Sequence, residues 1–554
     1  MKMMKMMKMT KIRQYVNYTM VFCLLAWGSQ FLTGCAESDH LDEYQYDNTP
    51  KEPGDPEKPT SDEITQKLEK IPGISDATIQ YSKEDPDKYG YYFNVEQLKD
   101  HKNPKGGTFK QRCYMKFKDW DRPVVLDTEG YALPDSVHEI YDEQDLVKYL
   151  KANYITVEHR YFGTSLPEDF DNTDFTYLYT DQAATDLHNV VTLLQKHLFP
   201  RTNKWVATGV SKSGITSALY AYYSDKNGWN DIDLFMPFCA PFIRGTEESC
   251  MEMTAGTYLI NVCGNGYPAG SDEAVAYQRL RAIPAAISAN KPLRDACLRK
   301  YHQDSPNEYK ELLQYYEGAQ LEKAATAGVI CTFYNNLFGD FSYIQFSSWA
   351  KYVPDPAKAI APTADESDIE AVVDFVFMDE RELMKYIIKN SQKSVGRRAA
   401  LDDNGIIALR KSEKEMPYYL QAYRELGSYC YDYSLVDGSY LTKKLAEEVG
   451  NLSSVENMFS KRYPGQWDGS KLMTSVHQWA ATTTTQPIIF IYSYNDPWTA
   501  NAIEDTEINP SRKVWKVINL IGTHSYEFLS KDKCDEAASK AIKDAIKSVL
   551  NIGE

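Results

Sequence analysis

The stretch Trp205-Val206-Ala207-Thr208-Gly209-Val210-Ser211-Lys212-Ser213-Gly214-Ile215-Thr216 constrains this chain more than any other. It opens as a short apolar run suited to a buried strand and turns through two glycines set around a serine. It then continues into Ser217-Ala218-Leu219-Tyr220-Ala221-Tyr222-Tyr223, which reads as a helix. A serine at so tight a strand-to-helix turn sits on strained backbone, with its hydroxyl held above the sheet, and small neighbours let the turn form. An ordinary glycine-containing turn satisfies the same short pattern, so the remainder of the chain has to decide.

Around this turn, strand and helix patterns alternate. Tyr91-Tyr92-Phe93-Asn94-Val95 and Gln111-Arg112-Cys113-Tyr114-Met115-Lys116-Phe117 read as an antiparallel start to a sheet. Pro123–Leu126, Tyr154–Val157 and Ile232–Phe238 read as buried strands, with amphipathic helices over 144–152 and 181–197. From about Arg244 to Ala480 only helical periodicity stands out. Strand character returns at Pro487–Tyr492 and Val514–Leu520, and an amphipathic helix spans Asp535–Leu550. The expected fold is α/β: a mainly parallel sheet of the α/β-hydrolase kind with a large helical cap inserted between nucleophile and acid.

Such a fold places an acid and then a histidine just past late strands, in that chain order. Asp496 follows the strand ending at Tyr492, and His524 follows the strand ending at Leu520; of nine histidines, His524 alone lies downstream of Asp496. Taken singly, Asp496 is a turn residue before Pro497 and His524 a loop histidine. Taken jointly with Ser211 they form a catalytic triad: the imidazole accepts the serine proton and the carboxylate fixes its tautomer. The oxyanion hole is expected from the backbone N–H of Lys212 together with that of Gly130 or Tyr131, in the loop after the strand Pro123–Leu126.

Composition narrows the partners. A formal charge of −17 argues against nucleic acid. Lys2, Lys5, Lys8, Lys11 and Arg13 precede the apolar run Val21–Trp27 and then Leu32-Thr33-Gly34-Cys35. This order is that of a bacterial lipoprotein signal, in which Cys35 is lipidated and anchors the protein to a membrane facing the periplasm or the cell surface. A signal peptide cleaved nearby is the alternative; the apolar run is short for a span. The expected division is 1–35 signal, 36–63 acidic proline-rich tether, 64–243 first part of the hydrolase domain, 244–480 cap, and 481–554 second part. Among ten cysteines, Cys239, Cys250 and Cys263 are close enough in sequence to suggest a disulfide pair. The spacing holds no C-x-x-C metal pattern, and no cofactor is implied. The oligomeric state stays open.

Several runs carry a resemblance: Gln97–His101 with Gly107–Arg112, Thr128–Tyr131, Glu158-His159-Arg160-Tyr161-Phe162-Gly163-Thr164-Ser165-Leu166-Pro167, Gly209–Gly214, Tyr418–Gly427 and Asn495–Trp498. Through them the chain resembles the secreted serine peptidases of the prolyl tri/tetrapeptidyl aminopeptidase family and, more distantly, the lysosomal Pro-Xaa carboxypeptidase and dipeptidyl peptidase II family. It departs from them at Ser213, where a glycine is usual, and at Leu98-Lys99, where Pro-Val is usual. The resemblance implies an exopeptidase that removes short peptides from a free N-terminus after proline, with the cap admitting only unfolded chain ends. Glu129 and Glu425 stand in motif positions where a carboxylate would hold the substrate's α-amino group, or would hydrogen-bond structurally to Arg160. Arg160 in turn either contacts substrate or braces the loop beside the oxyanion hole. The same triad would serve an esterase or lipase. A surface lipoprotein that binds peptide or glycan without catalysis is a third reading, disfavoured by the intact triad.

Overall fold

Three antiparallel strands open the sheet, β1 (Ile74–Tyr81), β2 (Tyr89–Leu98) and β3 (Thr108–Lys116). The computed structural model describes residues 60–82, 88–133, 144–168, 173, 175–200, 203–243, 263, 267–337, 341, 344–378, 417–418, 420–427, 441, 445, 468, 471–504 and 508–551. Cys35, Cys250, Cys430, the proposed signal and nearly all of the tether fall outside these residues. After β3 come β4 (Val124–Asp127), β5 (Asn153–Val157), β6 (Trp205–Val210), β7 (Leu234–Phe238), β8 (Ile488–Ser493) and β9 (Val514–Asn519). The nine strands form one sheet in the order β1-β2-β3-β5-β4-β6-β7-β8-β9. β3 pairs antiparallel with β5, and every pairing from β5 onward is parallel. This mixed sheet, with one strand exchange and a serine elbow directly after β6, is the α/β-hydrolase architecture.

Strands β4 to β8 are buried at every position except Val210. Parallel strands covered on both faces need apolar residues on both, which is why they read as continuous apolar runs rather than as alternation. The pleat still sorts their side chains. Val124, Leu126, Trp205 and Ala207 join a core with α3 (Thr180–His197) and α4 (Lys212–Asn227). Val125, Tyr154, Val206 and Met236 join a second core on the opposite face, with α2 (Asp145–Leu150) and the C-terminal helix α11 (Glu536–Leu550). A further helix, α1 (Glu63–Glu69), packs beside β1 under an Asp62 capping box.

Among the described residues, every element between β7 and β8 is helical. Helices α5 (Asp272–Ala289), α6 (Lys291–Asp304), α7 (Pro306–Tyr315), α8 (Gly318–Asn335) and α9 (Glu366–Val376) surround a third core of their own. This layer touches the sheet domain at the histidine loop, where Gln345 Nε2 donates to the Ile521 carbonyl at 2.9 Å. Helix α10 (Lys471–Thr482) lies inside the 244–480 stretch expected to be cap, yet it packs on the sheet domain. Its Trp479 ring meets Tyr222 at 5.8 Å, and its indole N–H donates to Asp225 at 2.6 Å. The physical reason is its apolar stripe of Met473, Val476, Trp479 and Ala480, which α4 covers.

Candidate active site

Ser211 has φ 57° and ψ −120°, a conformation that few residues with a side chain adopt. It stands at the N-cap of α4 but makes no side-chain cap bond to it. Its backbone N–H instead donates to the Phe238 carbonyl at 2.9 Å, tying the elbow to the end of β7. The flanking glycines are required by contact. A Cβ on Gly209 would lie 2.5 Å from the Ser213 carbonyl group, and one on Gly214 2.6 Å from the Phe238 oxygen.

Asp496 and His524 come together across the ends of β8 and β9. His524 Nδ1 lies 2.8 Å from Asp496 Oδ2, and both side chains are fully buried. A carboxylate only accepts, so Nδ1 carries the proton and Nε2 keeps its lone pair. The other Asp496 oxygen accepts the Trp498 N–H at 3.0 Å. The histidine loop is fixed by Asn495, whose backbone and side-chain amides both donate to the Gly522 carbonyl at 3.1 Å. Asn519 Oδ1 accepts the Gly522 N–H at 3.1 Å, and nothing larger than glycine fits there. Between elbow and histidine loop stands Cys239, next in chain to Phe238. Its sulfur faces the carbonyls of Thr523 at 3.9 Å and Ser525 at 3.5 Å, one on either side of His524. Phe238, which accepts the elbow's N–H, and Cys239, which faces the histidine loop, are thus adjacent in the chain.

The loop expected to complete the oxyanion hole is engaged internally. The Gly130 N–H donates to Ser213 Oγ at 2.9 Å, and the Tyr131 N–H donates to Glu129 Oε1 at 3.0 Å. Ser213 Oγ in turn donates to Glu129 at 3.3 Å. Ser213, a departure from the resembled pattern, therefore serves as the bridge between the elbow and this loop. Lys212 is the first residue of α4, directly after Ser211. The Lys212 side chain is buried, donates to the Gly130 carbonyl, and lies 4.8 Å from the Phe162 ring and 5.1 Å from the Tyr131 ring.

The two glutamates differ. Glu129 sits against Ser213 beside the elbow; burial, and then the charge of Asp127, push its pKa up to about 8. Glu425 accepts the Thr180 N–H at 2.8 Å and the Thr180 hydroxyl at 3.2 Å, so it caps α3. Burial pushes its pKa to about 8 as well. A raised carboxyl favours the protonated fold, so its contribution is complete below about pH 4.5 and is lost as pH rises through about 8. Glu425→Gln is expected to abolish that dependence. Urea midpoints at pH 5 and pH 8 should show the variant gaining on the wild type, by at most about 1.4 kcal/mol per pH unit.

Neither glutamate bonds to Arg160, and Arg160 is too buried to contact substrate. Its guanidinium grips Asp186 through Nε at 2.6 Å and Nη2 at 2.7 Å, and donates to the carbonyls of Lys99 and Tyr177 at 3.0 Å. Both side chains are fully enclosed. Breaking such a pair leaves a buried charge alone, so Asp186→Ala should cost about 3–5 kcal/mol in chemical unfolding. Glu158, which no sequence argument singled out as a hub, explains the rest of the Glu158–Pro167 run. Its carboxylate accepts the amides of Leu133 at 2.9 Å, Thr164 at 3.0 Å and Ser165 at 2.9 Å, the Ser165 hydroxyl at 2.6 Å and Arg112 at 3.0 Å. Gly163, at φ +54°, leaves room for that carboxylate. The run is scaffold, and it supports the loop that carries Gly130 and Tyr131.

Cys239 and Cys263 are both buried free thiols, so the suggested disulfide is not formed between these two. Cys239 was expected only as a bridge partner; the structure gives it a place beside Asp496 and His524.

Comparison with known proteins follows the same lines. Residues 57–252 match the family model described as PS-10 peptidase S37. The chain is similar to the S37 peptidases. It is 24% identical over 443 residues to the prolyl tri/tetrapeptidyl aminopeptidase of Streptomyces mobaraensis, covering 79% of this chain and 75% of that protein. It is 28% identical over 204 residues to the serine protease vicPb of Bipolaris victoriae (strain FI3), covering 32% of this chain and 37% of that one. Among solved structures, the rice cell wall degrading esterase LipA from Xanthomonas oryzae is 9% identical, covering 89% of this chain and 96% of its own, with a TM-score of 0.29.

Proposed function

We propose that this chain is a serine exopeptidase that releases short peptides, of three or four residues, from free N-termini after proline. Ser211 is the nucleophile, His524 the general base and Asp496 its orienting acid. The observation that carries this reading is the buried 2.8 Å contact of His524 with Asp496 at the strand edge that also bears the strained Ser211. Ser211 Oγ attacks the scissile carbonyl as its proton passes to His524 Nε2. That proton then goes to the departing amine, and water repeats the sequence on the acyl-enzyme. The Lys212 N–H faces the developing oxyanion from the first turn of α4.

Glu129 is the better of the two glutamates for the substrate's ammonium, since Glu425 is committed to Thr180. An arriving ammonium would draw the Glu129 carboxylate away from Tyr131, releasing that N–H as the second oxyanion donor. We also read residues 1–35 as a lipoprotein signal, with Cys35 as the anchor.

Mass spectrometry of products from short proline-containing peptides, each with a free and an N-acetylated end, tests the function. Tri- or tetrapeptides ending in proline, released from free ends only, are the expected products. Cleavage of simple chromogenic esters with every peptide left intact would overturn it in favour of an esterase. Glu129→Gln should weaken cleavage of free ends and spare any residual cleavage of acetylated ones.

A further inference from the structure

Three groups of different chemistry converge behind the imidazole. Cys239 Sγ, a carboxylate oxygen of Asp496 and a ring nitrogen of His524 all lie within 4.8 Å of one another, and all three residues are buried. They come from the ends of three neighbouring strands, β7, β8 and β9, so the sheet itself holds the cluster. Cys239 has φ +48°, strained for a residue with a side chain, and its N–H donates to the Ile491 carbonyl at 2.7 Å. That bond fixes the thiol toward Ser493 at 3.8 Å and the histidine loop. These contacts, together with that to the His524 ring, keep the sulfur facing the imidazole.

We propose that Cys239, Asp496 and His524 form an inhibitory site for a thiophilic divalent cation such as zinc or cadmium. One thiolate, one imidazole nitrogen and one carboxylate oxygen are the donor types such ions take, and three protein ligands leave a fourth position for water. Binding replaces the Asp496–His524 hydrogen bond with two metal–ligand bonds and a metal–sulfur bond. The thiol proton passes to solvent, and the one ring proton of the neutral imidazole moves from Nδ1, which the metal takes, to Nε2. With its carboxylate and imidazole both held, the triad no longer accepts the Ser211 proton. Magnesium and calcium, which prefer six or more oxygen ligands, find no such set here.

The inhibitory consequence rests on the proposed triad, whereas the binding does not. The full chain is therefore titrated with cadmium in two ways: the cadmium–thiolate absorption band with equilibrium dialysis, and fluorophosphonate labelling of Ser211 with peptide hydrolysis. Wild type should gain one thiolate-ligated ion and lose labelling and hydrolysis, with both restored by chelator and neither affected by magnesium. Cys239→Ala and the size-conserving Cys239→Ser should fold, lose the band and need at least about tenfold more cadmium for half-inhibition. An unchanged band, or unchanged sensitivity in both variants, overturns the metal site. A band that depends on Cys239 in a protein that neither labels nor hydrolyses peptides upholds the site and defeats the peptidase reading instead.

Discussion

Ser211→Ala is expected to lower kcat on a proline-ending tripeptide substrate by about 10⁶-fold while leaving the unfolding transition nearly unchanged. The hydroxyl makes no cap bond to α4, and the strained backbone is held by the Ser211 N–H to Phe238 bond and by the contacts of Gly209 and Gly214. Alanine keeps all of these. What it removes is the only atom that forms the acyl bond, and water at the same place is a poorer nucleophile. The residual rate, about 10³- to 10⁴-fold over water, would come from binding and from the oxyanion donors. Single-turnover kinetics with fluorophosphonate labelling checks this result: a variant that still labels, or that loses less than about a hundredfold, would show that another residue is the nucleophile.

Asp496→Asn should cost about 10⁴-fold in kcat. The Trp498 N–H can still be accepted by the amide oxygen, so the turn survives. The amide nitrogen then faces His524 Nδ1 as a donor, which places the imidazole proton on Nε2, opposite the Ser211 hydroxyl. The base is thereby turned the wrong way around. KM should change little, because the carboxylate is buried behind the imidazole and meets no substrate. Equal losses in kcat and kcat/KM are the expected signature of an interaction used in the transition state. A loss confined to KM would instead assign Asp496 to binding.

The readable parts of this protein and its hidden parts differ in range. Strands β4, β6 and β8 were legible because sheets covered on both faces need unbroken apolar runs, a local property of composition. Ser211, Asp496 and His524 were legible as candidates because each sits directly after such a run and their chain order is meaningful. Arg160 and Glu425 stayed open between substrate contact and a structural role, because a charge in a motif looks the same whether it meets a ligand or a neighbour. Burial and the partners Asp186 and Thr180 decided between the two. Gly130 and Tyr131 were legible as a loop, but nothing in their neighbours disclosed that Ser213 and Glu129 already hold their amides.

By itself the sequence determined the alternation of elements, the serine turn and the order of the three candidate residues, each set by a few adjacent positions. Only the tertiary structure decided that α10 packs on α4 and that Cys239 stands beside His524. The physical reason is distance along the chain. Hydrogen bonds and close contacts between residues more than 200 positions apart depend on how the sheet is ordered, and strand order leaves no mark on local composition.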